Sequence, residues 1–293
     1  MPNDIRQPIK TTEEYAEAVA VTYIPQILAL PKRERKSLDS GKIISNELTI
    51  EVNSVVPTFL TNELTEMNAA KVISKSKSFN AYAKALTFRL KMNPGSSVNA
   101  QKFHDQILRP LSIGFDNKSM IGEGGNNALV VSSDANYVTN ASEEIPAVTD
   151  NGFNQIQKIK QIAMNIKLAV NSFTSSDNLT VYFYGTELLA FLGAITDGQD
   201  NDAAYHIRQA FDEKTVNFVQ ISTLALPTSL GLGSGMIVVS NDLVTLEHCG
   251  LPEILRDGVN GEKGYYYANY LVGSMQVVVE ELGAIIKQPI TFA

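Results

Sequence analysis

The segment Phe153–Phe173 constrains this chain more than any other. Apolar residues recur at Phe153, Ile156, Ile159, Ile162, Ala163, Ile166, Ala169, Val170 and Phe173, while Lys158, Lys160, Gln161, Asn165 and Lys167 fill the remaining positions. That spacing puts the apolar set on one face of a helix. Thr149, Asp150 or Asn151 is predicted to cap its start. At 1.5 Å per residue the helix runs about 30 Å. This length suits a helix that crosses a whole subunit and leaves one face free for solvent or a neighbour.

The chain has 293 residues, 44% of them hydrophobic. At that size a folded chain buries roughly 75% of its unfolded surface, as one large domain or two modest ones. No disulfide or metal staple is required. Cys249 is the single cysteine, and His104, His206 and His248 are too scattered to suggest a metal cluster. The longest apolar stretch, Leu188–Ile195, is far too short to span a bilayer, and no basic-plus-apolar leader precedes Thr11. The expectation is a soluble, non-secreted protein with no cofactor, no metal and no membrane partner.

A formal charge of −7 argues against a dedicated nucleic-acid binder. Its distribution is more telling. Between Met67 and His104 there is no acidic residue, yet Lys71, Lys75, Lys77, Lys84, Arg89, Lys91 and Lys102 all lie there. Asp197, Asp200, Asp202, Asp212 and Glu213 are balanced only by Arg208 and Lys214. Asp242, Glu247, Glu253, Asp257 and Glu262 are accompanied only by Arg256. Such segregation fits an ordinary solvated surface. It equally fits self-complementarity, in which Lys84, Arg89, Lys91 and Lys102 of one copy lie against Asp197, Asp200 and Asp202 of the next and set association rate and register.

Residues 1–45 read as an arm, because Pro25 and Pro31 interrupt a short helix at Thr12–Val21 and no core-forming periodicity follows. Ile43–Phe59 is predicted extended and Glu63–Leu86 helical. Leu86, Phe88 and Leu90 alternate as a strand that ends at the turn Asn93-Pro94-Gly95, with a return strand or short helix over Val98–Ile113. Gly122, Gly124 and Gly125 open a flexible connection into Ala128–Val131. Thr180–Tyr184 is a strand and Thr186–Ile195 a short helix. Val216–Ser222 and Met236–Ser240 read as buried strands, followed by Gln276–Glu280 and Ala284–Phe292. Pro289 argues for an edge strand or a break in the last of these.

The chemistry-bearing patterns are weak. Gly231-Leu232-Gly233-Ser234-Gly235 has Met236 where a dinucleotide loop needs its third glycine, and it leads into a strand. Gly122-Glu123-Gly124-Gly125 fails in the same way. His248 and Cys249 are adjacent and so cannot face each other as a thiol dyad; a buried structural cysteine is the better reading. Ser234 lacks a nucleophile elbow, because Leu232 stands where the first glycine belongs. Glu143-Glu144 reads as loop solvation before Pro146, and neither it nor Glu280-Glu281 forms an acid/base couple. Tyr265, Tyr266, Tyr267 and Tyr270 suit packing or a subunit contact better than base stacking, since only Lys263 is near.

The order of elements resembles the major capsid proteins of tailed bacteriophages, whose Hong Kong ninety-seven-like α+β fold is shared with encapsulins. The resemblance is carried by residues from about Gly125 to Ala293. They include Gly125–Val131 before the long helix, LTVYFYGTELLAFL at Leu179–Leu192, Phe218–Pro227, GMIVVSNDL at Gly235–Leu243, and the tail from Tyr265 to Phe292. It implies an N-terminal arm at 1–45 and a peripheral domain over 46–178, with an extended loop at about 83–115 and Phe153–Phe173 as its spine helix. An axial domain at 179–272 and a C-terminal return at 273–293 complete the scheme. It further implies hexamers and pentamers of the chain itself, building an icosahedral head that touches packaged double-stranded DNA non-specifically. A separate scaffolding protein, a portal and a decoration protein are the implied partners, and a virion assembled in the host cytoplasm is the implied location. The alternatives are an encapsulin-like nanocompartment shell and a small α/β enzyme centred on Gly231–Gly235.

Overall fold

The computed structural model describes residues 23–34, 42–50, 72–80, 84–91, 100–122, 128–132, 134–149, 152–194, 202–212, 214–248, 253–260, 265–272 and 275–293. A 3-10 turn at Gln26–Ala29 is followed by strands β1 (Lys32–Glu34), β2 (Lys42–Ile50), β3 (Val72–Asn80) and β4 (Lys84–Lys91). Helix α1 (Ala100–Ile121), the short strands β5 (Tyr137–Thr139) and β6 (Glu143–Ile145), and helix α2 (Phe153–Phe173) come next. Then follow β7 (Asn178–Tyr184), α3 (Thr186–Ala194), α4 (Ala203–Ala210), β8 (Thr215–Gln220), β9 (Ser234–Ser240) and β10 (Val244–His248). Strands β11 (Glu253–Asn260), β12 (Tyr265–Val272), β13 (Met275–Val279) and β14 (Ile285–Phe292) close the chain.

The centre is a mixed sheet in the order β5-β14-β9-β7-β8, with β6 also on β14. β7 and β8 run parallel, so their connection must cross over, and it does so through α3 and α4. Side chains alternate across a strand, and both faces of this sheet are covered. Val181, Phe183, Met236, Val238, Ile286 and Ile290 point to one face, where α2 packs through Ile156, Ile159, Ile162, Ala163, Ile166 and Val170. Tyr182, Tyr184, Ile237, Val239 and Ile285 point to the other, under Ile27, Leu30, Phe115, Met120, Leu129 and the sheet β1-β10-β13. Burying one such side chain stabilises the fold by about 1.5–3 kcal/mol, so two layers of them supply the main driving force.

The structure seats residues 23–34, within the predicted arm, against this second layer. Ile27 and Leu30 are fully buried, and β1 extends β10 in parallel. Helix α2 has the predicted bounds, but Phe153 and Phe173 at its ends are exposed and lie off the core stripe. Its N-cap is Gly152 in the left-handed region, with no side-chain cap. The entry is held from inside the helix instead: Asn154 Oδ1 accepts from Thr149 N at 3.0 Å, and Gln155 Nε2 donates to Pro146 O at 2.8 Å.

Three further expectations are corrected. Residues 72–80 form a strand on β2, not part of a helix at Glu63–Leu86. Their Lys-Ser alternation has period two, and serine competes with helix backbone bonds. The element after the turn region is a 22-residue helix with Pro110 inside it, longer than the return strand or short helix expected. Strand β14 is interior, not an edge, although it contains Pro289.

The reason for the last lies in hydrogen-bond parity. Ser240 N donates to Ala284 O at 2.8 Å, so alternation makes Pro289 and Gly235 a non-hydrogen-bonded pair. The proline nitrogen therefore turns away from β9, toward the gap between β5 and β6. Gln288 fills that gap: its Nε2 donates to Ala141 O at 2.7 Å, and Asn140 Nδ2 donates to its Oε1 at 3.1 Å.

Candidate functional site

Lys84, Arg89 and Lys91 lie on β4, an outer strand of a separate sheet in the order β11-β12-β4. Lys84 pairs with Val272, Arg89 with Tyr267 and Lys91 with Tyr265, so the tyrosine-rich strand forms the middle of this sheet. The opposite outer strand, β11, carries Glu253 and Asp257 with Arg256 between them. Basic and acidic strands thus share one sheet two strand spacings apart, about 9.5 Å. That is close to the Debye length at physiological salt, so their mutual attraction within one chain is modest. Lys102 lies in the first turn of α1.

The acidic partners expected for this strand fall elsewhere. Asp197 and Asp200 lie outside the described residues. Asp202 caps α4, with its Oδ1 accepting from Tyr205 N at 2.7 Å. Its carboxylate therefore has a structural role at that helix start. The structure does not bring Asp202 to the β4 sheet within one chain, and nothing in it joins the seven residues into one site. The turn Asn93-Pro94-Gly95 and Cys249 also lie outside the described residues.

Gly231–Gly235 borders an open cleft of about 310 Å³, whose walls are Tyr184–Glu187, Leu226–Thr228 and Gly231–Ser234. Gly231 and Gly233 have positive φ, and β9 begins at Ser234, so the segment is a turn into a buried strand. Ser234 is itself buried. Glu187, in the first turn of α3, gives the cleft a carboxylate where a phosphate loop needs a positive end. Glu143 sits on β6 and pairs with Lys158 of α2 at 2.7 Å, in place of the expected loop solvation. Among the described residues no group of three or more His, Cys, Asp or Glu converges to hold a metal, and no helix is long and apolar enough to cross a membrane.

The best-organised polar group was not legible in the sequence. Asp116 of α1 is fully buried and accepts from Gln26 N at 3.0 Å, Ile27 N at 2.9 Å and the Tyr23 hydroxyl. Burial pushes its carboxyl above the usual range, and these three hydrogen bonds oppose the rise. Gln26 extends the clamp: its Nε2 donates to Gln220 O at 2.6 Å, and its Oε1 accepts from Ser222 N at 2.7 Å. Only an aspartate amid Ile113, Phe115 and Met120 hinted at it. What the molecule presents is a clamped N-terminal segment, a charge-segregated sheet and a spine helix with a free outer face.

No family model matches the sequence, and no curated protein sequence matches it. Solved structures do match, over nearly the whole chain. The capsid of Myoviridae Phage XM1 aligns with a TM-score of 0.60 at 13% identity, covering 90% of this chain and 91% of that one. The chain has the Hong Kong ninety-seven-like capsid fold. A virus-like particle from Pyrococcus furiosus aligns at a TM-score of 0.55 and 9% identity, covering 96% and 99% of the two chains. A structure from Mycobacterium phage Cain gives 0.55 at 12% identity, over 94% and 92%. The capsid fold is therefore retained where nearly every side chain differs. What is common is the placement of elements, which is also where α2 and the central sheet put the core.

Proposed function

We propose that this chain is the major capsid protein of a tailed bacteriophage, self-assembling into hexamers and pentamers that close an icosahedral head around double-stranded DNA. The observation that carries the reading is a capsid fold shared end to end with the phage XM1 capsid. On this reading residues 1–45 are the arm and 46–178 the peripheral domain, with α2 as spine and residues 83–115 as the extended loop. Residues 179–272 are the axial domain and 273–293 the return strand. The role is structural and not enzymatic: closed shells need self-complementary surfaces repeated by symmetry, not reactive groups. Lys84, Arg89, Lys91 and Lys102 would meet acidic surface of a neighbouring copy, with Asp197, Asp200 and Asp202 as its partners. A scaffolding protein, a portal, a decoration protein and non-specific contacts with DNA phosphates complete the partners, and the virion, assembled in host cytoplasm, is the location.

The Pyrococcus furiosus virus-like particle favours a second reading, a nanocompartment that encloses protein. The contents of purified particles decide between them. Particles from the native source that protect long double-stranded DNA from nuclease support the phage head. Particles that enclose one co-purifying protein and no DNA would replace it with the compartment.

A further inference from the structure

The outward stripe of α2 has no partner among the described residues, yet it is not a simple solvated face. Leu168 is 60% exposed, Met164 41% and Phe153 53%. At 100° per residue these three fall within one narrow sector opposite Ile159, Ile166 and Val170. The exposed Lys160 lies on one flank of that sector, with Lys167 two turns further along. The stripe is thus apolar along its middle and basic along one side.

Residues 11–22 read TTEEYAEAVAVT and carry Glu13, Glu14 and Glu17 with no basic residue. Wound as a helix, they align Tyr15, Ala18 and Val19 as an apolar stripe, with Glu14 on its flank and Glu17 one turn on. We propose that residues 11–22 of a second copy dock on the outer stripe of α2, with Tyr15 and Val19 against Met164 and Leu168 and Glu14 beside Lys160. This rests on the self-assembly reading and names a contact within it.

A second copy is required by where the segment is anchored. Asp116 holds Tyr23, and Tyr182 Oη donates to Gln26 O at 3.4 Å, on the sheet face away from α2. To reach the outside of its own α2, the segment must clear the sheet and a whole helix diameter, a distance on the order of 20 Å. Thr22 is its only linker, and one residue spans about 3.5 Å.

The test places a photo-reactive benzoylphenylalanine at Leu168 in the full chain, mixes nitrogen-15-labelled and unlabelled protein, irradiates after sizing, and maps the cross-linked peptides. Mixed-isotope cross-links to residues 11–22 are expected, with the yield reduced about two- to five-fold by Lys160→Glu, as one exposed ion pair permits, and restored by adding Glu14→Lys. Particles that form with no such cross-link, or that cross-link Leu168 to another segment or only within one copy, overturn the docking and leave the shell reading intact. Protein that stays monomeric with no cross-link overturns both.

Discussion

The Tyr23 hydroxyl donates to the carboxylate of Asp116, 93 residues away, and the same carboxylate takes the backbone amides of Gln26 and Ile27. One buried side chain thus fixes where the N-terminal segment leaves the body. Replacing Asp116 with Ala strands two buried N–H groups and a hydroxyl. Because hydrogen bonds to charged groups are each worth about 1.5–3 kcal/mol, the loss is expected to reach at least ~3 kcal/mol. Asp116→Asn keeps a carbonyl acceptor and is expected to cost less than half as much. Urea unfolding of the two variants checks the order.

The same residue gives a pH dependence. Burial is the largest influence on Asp116 and raises its pKa above 3.8 in the folded chain. A carboxyl raised on folding binds its proton more tightly in the native state. Its contribution to stability is therefore fully present below the unfolded value and is lost as pH rises through the folded one. Unfolding midpoints followed from acid toward neutral pH are expected to show this decline in the wild type, superimposed on the other carboxylates, and not in Asp116→Asn. Equal slopes for the two proteins would contradict it.

Two glycines separate backbone crowding from mere conformation. Gly185 has φ +91°, and a Cβ there would lie 2.5 Å from Ser234 Cα and 2.6 Å from Gly233 O. Neither backbone atom can swing aside, so Gly185→Ala combines left-handed strain of about 1–2 kcal/mol with displacement of β9. Gly231 has φ +64° with open space around it, so Gly231→Ala is expected to show the strain alone. Thermal unfolding should place Gly185→Ala well below Gly231→Ala.

Gln288 substitutes for the ladder that Pro289 interrupts. It is 4% exposed and bridges Ala141 O and Asn140. Gln288→Leu keeps the volume but leaves a buried carbonyl unpaired, an expected loss of about 1–3 kcal/mol measurable by chemical denaturation. Gly or Ala at Pro289 should be far milder, because its nitrogen faces the gap and not β9.

The helix α2, the strands β7, β9 and β14 and the two-faced core were legible because each has strict periodicity over many residues. Pro289 misled because sequence does not show to which side a residue's nitrogen points. The stretch 72–80 misled because Lys and Ser are compatible with either period over a short window. The Asp116 clamp was invisible for a different reason. Its partners lie far apart in the chain, and no local pattern marks a carboxylate that three distant donors will satisfy. The charge segregation was legible as composition, but its geometry was not: β4 and β11 flank the same strand.

That arrangement gives the prediction closest to assembly. Reversing Lys84, Arg89 and Lys91 to Glu makes both outer strands of the β11-β12-β4 sheet acidic. Within a chain the added repulsion acts across about 9.5 Å and is screened by salt, so folding stability should fall little. Between copies it removes the basic partner of an acidic neighbour. Sedimentation should show assembly impaired while the unfolding midpoint barely moves, and normal particles from the triple variant would remove charge complementarity as a basis for contact.

The most direct test of the central claim is the mass of the purified protein by light scattering behind a sizing column, with the same peak imaged by electron microscopy. The account predicts capsomers or hollow shells at many multiples of 32.0 kDa. A monomer or dimer that keeps its mass on concentration and with scaffolding protein supplied would contradict it.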